Sequence, residues 1–565
     1  MVACGDDAAV DGGAAVDASL LDGAMDGPSS DAARADASSD ASADGPTIDG
    51  AQPDAGAGPV GVMARLPDGR FGSAEETFTL PATDGEGIYI PDLQDAFPDV
   101  NWATLDRLYI PAGHYRFIRL GNLPERDRRA RPLVITNLGG QVRVGGLGHH
   151  YIMSVGGGSG WVLSGRYDPV SATGDEGYLG HRENAYANAA ERYGILIDDG
   201  HAESGRSGLA IGSGASGFEV EFVEITGVGF AGMLIKTDDD AAAVMDDVHL
   251  HDNYIHDVVS EGLYLGSTQG QPQHVLSNFD VSYNRILRAG TESIQLGQLV
   301  GENEVHHNVF GPSAIDWRDA FQRFQDGNLQ ISIRGGVTRV HHNVFLGGAG
   351  SMIGLFGNNV DGDAHAEGDG VVIEDNILSH FRNLGIYGIA RDVEPLTFTV
   401  RNNRIGGQSF DRDEVYPDAS DPGHLIRQGN GATDFVVEGN RFDGERLCNR
   451  VADECNGEGT GFLGSANRRE GAAGVAFQDS GLPQDFDWLS LELWTAEASL
   501  NGDAPVAYPQ GDTVMHEGRP YRCVADPCEA GRVPDESPDS WMPMEPFADD
   551  VRTVDADRAY GLGEG

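Results

Sequence analysis

Three groups of residues have types and spacings that could do chemistry. Glu261 and Glu292 each follow an asparagine, Asn253 and Asn284, by eight residues in a similar local context. If those asparagines occupy equivalent places in adjacent layers of backbone, the glutamates lie about 5 Å apart, one strand spacing. Two carboxyl groups that close suit glycosidic hydrolysis: one protonates the leaving oxygen while the other attacks the sugar. Their proximity also splits the two ionisations, which suits that division of labour. His256, Asp257, Tyr264 and Gln295 fall close by and could line the same groove. Lys236 is the single lysine among 565 residues, and Asp238, Asp239 and Asp240 follow it in IKTDDD. Lysine can lose its proton and act as a base where arginine cannot. The three aspartates, joined by Asp246 or Asp247, offer the hard oxygen ligands that calcium prefers. Without a cation those carboxylates would hold the lysine protonated. Finally, VHHNVF occurs at 305–310 and again at 340–345, placing His306 and His341 in one local setting. Paired imidazoles suit a metal or a sugar-contacting groove. Each group has a plainer reading too: turn glutamates, a corner lysine beside an exposed acidic loop, and solvated imidazoles copied by duplication.

The elements that position these residues follow from a longer repeat. VHLHDNYI (248–255), FDVSYNRI (279–286), NEVHHNVF (303–310), TRVHHNVF (338–345), VVIEDNIL (371–378), FTVRNNRI (398–405) and FVVEGNRF (435–442) align on one asparagine. Three residues before it and two residues after it, every copy is apolar. The alternation ahead of the asparagine has period two, the mark of a short strand with one buried face. Second apolar strands follow, as in EGLYLG (261–266) and ESIQLG (292–297). A unit of 24–37 residues that recurs in this way is a solenoid signal, and no helical stripe runs through it.

This pattern resembles the right-handed parallel β-helix of pectate lyases and related polysaccharide-active proteins. The resemblance is clear over about 205–445, with weaker coils from about 105 and a cap near 88–104. It implies an all-β solenoid in which the asparagines stack into an internal ladder of side-chain hydrogen bonds. Residues two before each asparagine then form an outward column: His251, Ser282, His306, His341, Glu374, Arg401 and Glu438. One type of β-helix lyase uses a lysine base beside a calcium ion held by aspartates, which implies those roles for Lys236, Asp238, Asp239 and Asp240. The signature sets of polygalacturonases and of the main pectate lyase family are not met.

Composition bounds the rest. A formal charge of −51 repels polynucleotides and anionic membranes, so nucleic-acid binding is not expected. No run of 18 apolar residues is present to span a bilayer. Residues 1–59 carry twelve aspartates and one arginine without an aromatic, a composition expected to remain a disordered tether. VACG at 2–5 resembles a bacterial lipobox, which implies lipid on Cys4, although only three residues precede it. The remaining cysteines form two close pairs, Cys448 with Cys455 and Cys523 with Cys528, as expected of disulfides in an exported protein.

The expected organisation is a tether at 1–59, the β-helix with its cap at 60–445, a cap or hinge at 446–500, a small module at 501–548 and a tail at 549–565. The module resembles the small chitin-binding module of bacterial chitinases through Tyr508, Gly511, Asp512, Val514, Gly518, Tyr521, Pro534 and Trp541. It departs from that family where VADPCEAG replaces an exposed aromatic pair. The resemblance implies sugar contact by Tyr508, Tyr521 and Trp541, with a place in the module's core as the other reading. Together these features lead to an exported or surface-tethered monomer acting on a polysaccharide, chitin or a uronate polymer, by lysis or hydrolysis. A non-catalytic glycan binder or adhesin is the alternative. Calcium is the cofactor that the lyase reading requires.

Overall fold

In the computed structural model, residues 71–442 are described apart from 129, 147–150, 181–191, 201–204, 238–241, 268–273, 312, 314–326, 349–350, 358–364, 382–383, 391–395, 407–423 and 429–433; 447–449, 468–469, 491–493 and most of 507–543 follow. The aspartate-rich lead with Cys4, the three aspartates Asp238, Asp239 and Asp240, and Cys455 lie outside the described residues.

Alternating apolar residues build each coil. In Glu302–His306 the side chains of Asn303 and Val305 are buried while Glu304 and His306 face outward. The same alternation recurs in Val337–His341 and Thr397–Arg401. Each coil carries up to three main strands, for example Val248–His251, Tyr254–Val258 and Leu263–Leu265. The first two belong to a 22-stranded sheet and the third to a 14-stranded sheet. Among the described solenoid strands every pairing is parallel, each strand lying on its counterpart in the neighbouring coil. The chain is thus an all-β parallel solenoid, as the repeat implied. Its stacking starts earlier than the coils expected from about 105, because Thr77–Thr79 already pairs with the strand Arg107–Tyr115. One short helix, Leu93–Ala96, lies near that end, its first turn capped by Asp92.

Between the coil walls runs one continuous apolar core, from Leu80 to Val437. The seven asparagines sit at its edge, each at most 1% exposed. They form an unbroken ladder: Nδ2 of Asn253 donates to Oδ1 of Asn284 at 3.0 Å, and so on through Asn308, Asn343, Asn376 and Asn403 to Asn440. Each Oδ1 also accepts a backbone N–H one coil away, as Asn343 does from Asn308 at 2.9 Å. The amides therefore satisfy backbone groups that the bend would otherwise bury unpaired.

The residue just before each ladder asparagine is left-handed: Asp252, Tyr283, His307, His342, Asp375, Asn402 and Gly439, with φ between 53° and 64°. For a side chain without local hydrogen bonding this conformation costs about 1–2 kcal/mol. Tyr283, His307 and His342 are the bulky members, and they stack on one another at centroid distances of 5.0 and 5.2 Å.

Toward the C-terminus, Leu491–Leu493, Thr513–His516, Arg519–Cys523 and Trp541–Pro543 form a separate four-stranded sheet. Cys523 and Cys528 are bonded, Sγ to Sγ at 2.00 Å. The expected pairing of Cys448 with Cys455 falls outside the described residues. Tyr508, Tyr521 and Trp541 are buried and pack with Val514 and the disulfide. The expectation that these rings form a sugar platform is therefore corrected. Trp541 stands edge-on to Tyr508 and donates Nε1–H to the Arg532 carbonyl at 2.8 Å, so the rings are the small module's own core.

The ladder makes a direct prediction. Asn343→Ala removes the acceptor for the Asn308 backbone N–H and leaves its neighbours' polar atoms short of partners, at a cost on the order of 3 kcal/mol. A lowered urea midpoint, with faster amide exchange at Asn308, is the expected result. His341→Ala, on the outer face of the same coil, is expected to cost less than about 1 kcal/mol.

Candidate functional site

The second sheet presents an outward column, Ala210, Leu234, Tyr264, Gln295 and Gln330, one residue per coil in exact register. Two residues ahead of the inward Leu263 and Ile294 come Glu261 and Glu292. Their backbones are neighbours, since the Gly262 N–H donates to the Glu292 carbonyl at 2.9 Å and the Gly232 N–H to the Glu261 carbonyl at 2.8 Å. The turn is tight: a β-carbon on Gly262 would sit 2.1 Å from Ile286 Cγ2, so only glycine can follow Glu261 here. Both glutamates are buried, at 2% and 1% exposure. Lys236, at the end of the adjoining strand Met233–Ile235, holds its Nζ 5.1 Å from the centre of the Tyr264 ring. Lys236, then Glu261 with Tyr264, then Glu292 with Gln295 thus stand on three consecutive coils. Asp238, Asp239 and Asp240 lie outside the described residues, so their calcium-ligand role rests on the sequence.

His256 does not join that strip. It stands in Tyr254–Val258, on the outer face of the first sheet. Its Nδ1 meets Asp257 Oδ2 at 2.6 Å and its Nε2 meets Glu224 Oε1 at 3.2 Å, while Tyr254 stacks on its ring at 4.0 Å. Arg288, fully buried, closes the cluster with two bonds of 2.6 Å to the Asp257 carboxylate. Burial alone would disfavour the imidazolium, but the field of Tyr254 and the hydrogen bonds to Asp257 and Glu224 outweigh it and raise the His256 pKa to about 10. Asp257 is held well below the usual carboxylate range despite its burial, chiefly by Arg288 and then by His256. His256 thus belongs to a separate cluster on the other sheet, so the expectation that it lines the glutamate groove is corrected.

The repeated histidines do become neighbours. The rings of His306 and His341 stack at 5.0 Å and 7°. Their Nε2 atoms contact Asp280 at 2.8 Å and Glu304 at 2.9 Å, and each Nδ1 faces the next histidine's Nδ1, His307 at 2.8 Å and His342 at 3.0 Å. This is a half-buried ladder of imidazoles tied to carboxylates one coil away. Beside it, His342, Asp375, Arg404 and Arg441 line a shallow cleft of about 320 Å³.

The coil that begins at Phe218–Glu221 lies within the expected solenoid, but its glutamates were not among the expected site residues. There Glu219 and Glu221 lie beside His249 and His251 in register, and Glu219, Glu221 and His251 bring three ligand atoms within 4.8 Å of one another. The coil stands outside the aligned asparagine frame because Val223 takes the asparagine's place. Its N–H instead caps the ladder by donating to Asn253 Oδ1 at 3.0 Å. The apolar pattern of Phe218, Val220 and Ile225 was the available signal.

The His256 cluster sets a pH dependence. A folded pKa near 10, against 6.5 for an ordinary histidine, gives stabilisation that is whole below pH 6.5 and is lost as pH rises toward 10. The depressed Asp257 gives stabilisation that is whole above its ordinary 3.8 and is lost on acidification. Melting temperatures measured across pH are expected to fall less steeply between pH 6.5 and 10 in His256→Gln than in the unaltered protein. Equal slopes would contradict the assignment.

No protein-family model and no curated protein sequence matches the chain. Among solved structures, an alginate lyase from Paenibacillus sp. str. FPU-7 is 13% identical, with 61% of this chain and 99% of that chain covered and a TM-score of 0.35. A periplasmic alginate epimerase mutant is 8% identical (65% and 85% covered, TM-score 0.30), and the pectate lyase Pel9A is 11% identical (62% and 80% covered, TM-score 0.28). Values this low carry no inference about what this chain does.

Proposed function

We propose that the protein is a carbohydrate-active enzyme that hydrolyses a polysaccharide at the second-sheet strip, with Glu261 and Glu292 as its acid and its nucleophile. The observation that carries this reading is the register: two buried glutamates on adjacent coils, their backbones joined by a hydrogen bond of 2.9 Å. Strands stack at about 4.8 Å, which suits the carboxyl separation of about 5–5.5 Å used by retaining glycosidases. One carboxyl group protonates the glycosidic oxygen as the other bonds to the anomeric carbon and the leaving sugar departs. Water then attacks that carbon, giving its proton to the first residue and releasing the second. Tyr264 and Gln295 stand on the same two coils and would orient the sugar. The Cys523–Cys528 disulfide fits an oxidising compartment, where polysaccharides are met.

The second reading is β-elimination by Lys236, which one observation favours: the chain's single lysine lies against Tyr264, in the same strip. Here Asp238, Asp239 and Asp240 would hold calcium. A panel of neutral, amino-sugar and uronate polysaccharides, incubated with and without calcium, separates the two. Hydrolysis predicts new reducing ends without the ultraviolet absorbance of an unsaturated uronate, and a loss of at least about 10²-fold in rate in both Glu261→Gln and Glu292→Gln. Absorbance that needs calcium and disappears in Lys236→Arg would replace hydrolysis by elimination. Pull-down of a glycan with no product from any member would leave a binder and reject both enzymatic readings.

A further inference from the structure

We propose that Glu219, Glu221 and His251 form a binding site for a first-row divalent metal ion, with Zn²⁺ the best match. The site lies on the first sheet and is independent of the glutamate strip on the second. The three residues come from two adjacent coils whose register pairs Glu219 with His249 and Glu221 with His251. His251 Nε2 lies 2.6 Å from Glu219 Oε1 and 3.7 Å from Glu221 Oε2. Around a tetrahedral zinc with bonds of about 2.0–2.1 Å, ligand atoms stand roughly 3.3 Å apart. Small rotations of two glutamate side chains therefore convert the present spacing into a coordination shell.

Surrounding groups orient the ligands as the second shell of a metal site does. His251 Nδ1 meets Asp252 Oδ2 at 2.8 Å, so the hydrogen on that nitrogen is directed away and Nε2 is presented to the two glutamates. Ser164 Oγ donates to Glu221 Oε1 at 2.7 Å, which leaves Oε2 as the oxygen turned to the imidazole. Arg128 Nη1 donates to Glu219 Oε2 at 3.1 Å and leaves Oε1 as the inward oxygen. All three ligands are buried, at 2%, 5% and 7% exposure. The carboxylates of Glu219, Glu221 and Asp252 converge on His251, and Arg128 bridges Glu219 to Asp247 at 2.8 Å. One imidazole with two carboxylates matches zinc or manganese better than calcium, which requires six to eight oxygens.

The test uses the full chain, stripped with a chelator and titrated with Zn²⁺ by calorimetry, with melting temperature read in parallel. The expected result is a site filled at one zinc per chain, a melting temperature raised by a few degrees, and no such effect from Ca²⁺. His251→Asn is expected to remove the site. Glu221→Gln, nearly identical in shape and still able to accept from Ser164, tests the ligand without disturbing the fold, and is expected to weaken zinc at least about tenfold. Zinc held elsewhere, such as at the stacked imidazoles of His306 and His341, would persist in Glu221→Gln. Equal zinc binding by the unaltered protein and Glu221→Gln, or no zinc bound by either, overturns the proposal.

Discussion

Each ladder asparagine makes its hydrogen bonds along the solenoid axis, and that is the constraint on which the remaining geometry depends. From Asn284 to Asn440, Oδ1 accepts both the side-chain amide and the backbone N–H of the preceding asparagine, and each amide reaches a carbonyl one coil away. A slip of one residue would bury a set of unpaired donors and turn an apolar face outward. Register is thereby locked at the bend, and every position counted from the asparagine becomes a column. The core packs on the inner columns, and the polar side chains of the repeat occupy the outer ones.

Locked register also explains how so acidic a chain, at −51, tolerates buried charge. Adjacent coils bring opposite charges together at one strand spacing, as Asp257 with Arg288. Such pairs compensate desolvation only when the geometry is well held, and the stacked backbone holds it. The left-handed bend contributes in the same way. It places Tyr283, His307 and His342 face to face, so that conformational strain at one residue is offset by ring contact with the next.

Much of this was legible before any coordinates. The asparagine frame, the outward column two residues earlier, the stacking of His306 on His341 and the adjacency of Glu261 to Glu292 all followed from counting. Counting failed where a residue departs from the repeat or where direction depends on the third dimension. Val223, in the asparagine's place, kept Glu219 and Glu221 out of the aligned frame. His256 was assigned to the glutamate groove because it is close in sequence, yet the turn at 259–262 carries the chain from one sheet to the other between them. Tyr508, Tyr521 and Trp541 matched a sugar-binding pattern, but the same spacing of aromatic rings serves a small core equally well.

The amino-acid sequence by itself determined the period, and with it the coil, the ladder and which residues are lateral neighbours. These are local properties: apolar alternation selects a strand, and an amide at a fixed bend selects its copy in the next coil. What only the tertiary structure decided is the state and partnership of the polar side chains. Whether His256 carries a proton, which oxygen of Glu221 turns toward His251, and that Lys236 rests on Tyr264 depend on distances of a few ångströms between coils and on exclusion of water. Those energies arise from burial and from charges brought together through space, and no spacing along the chain records them.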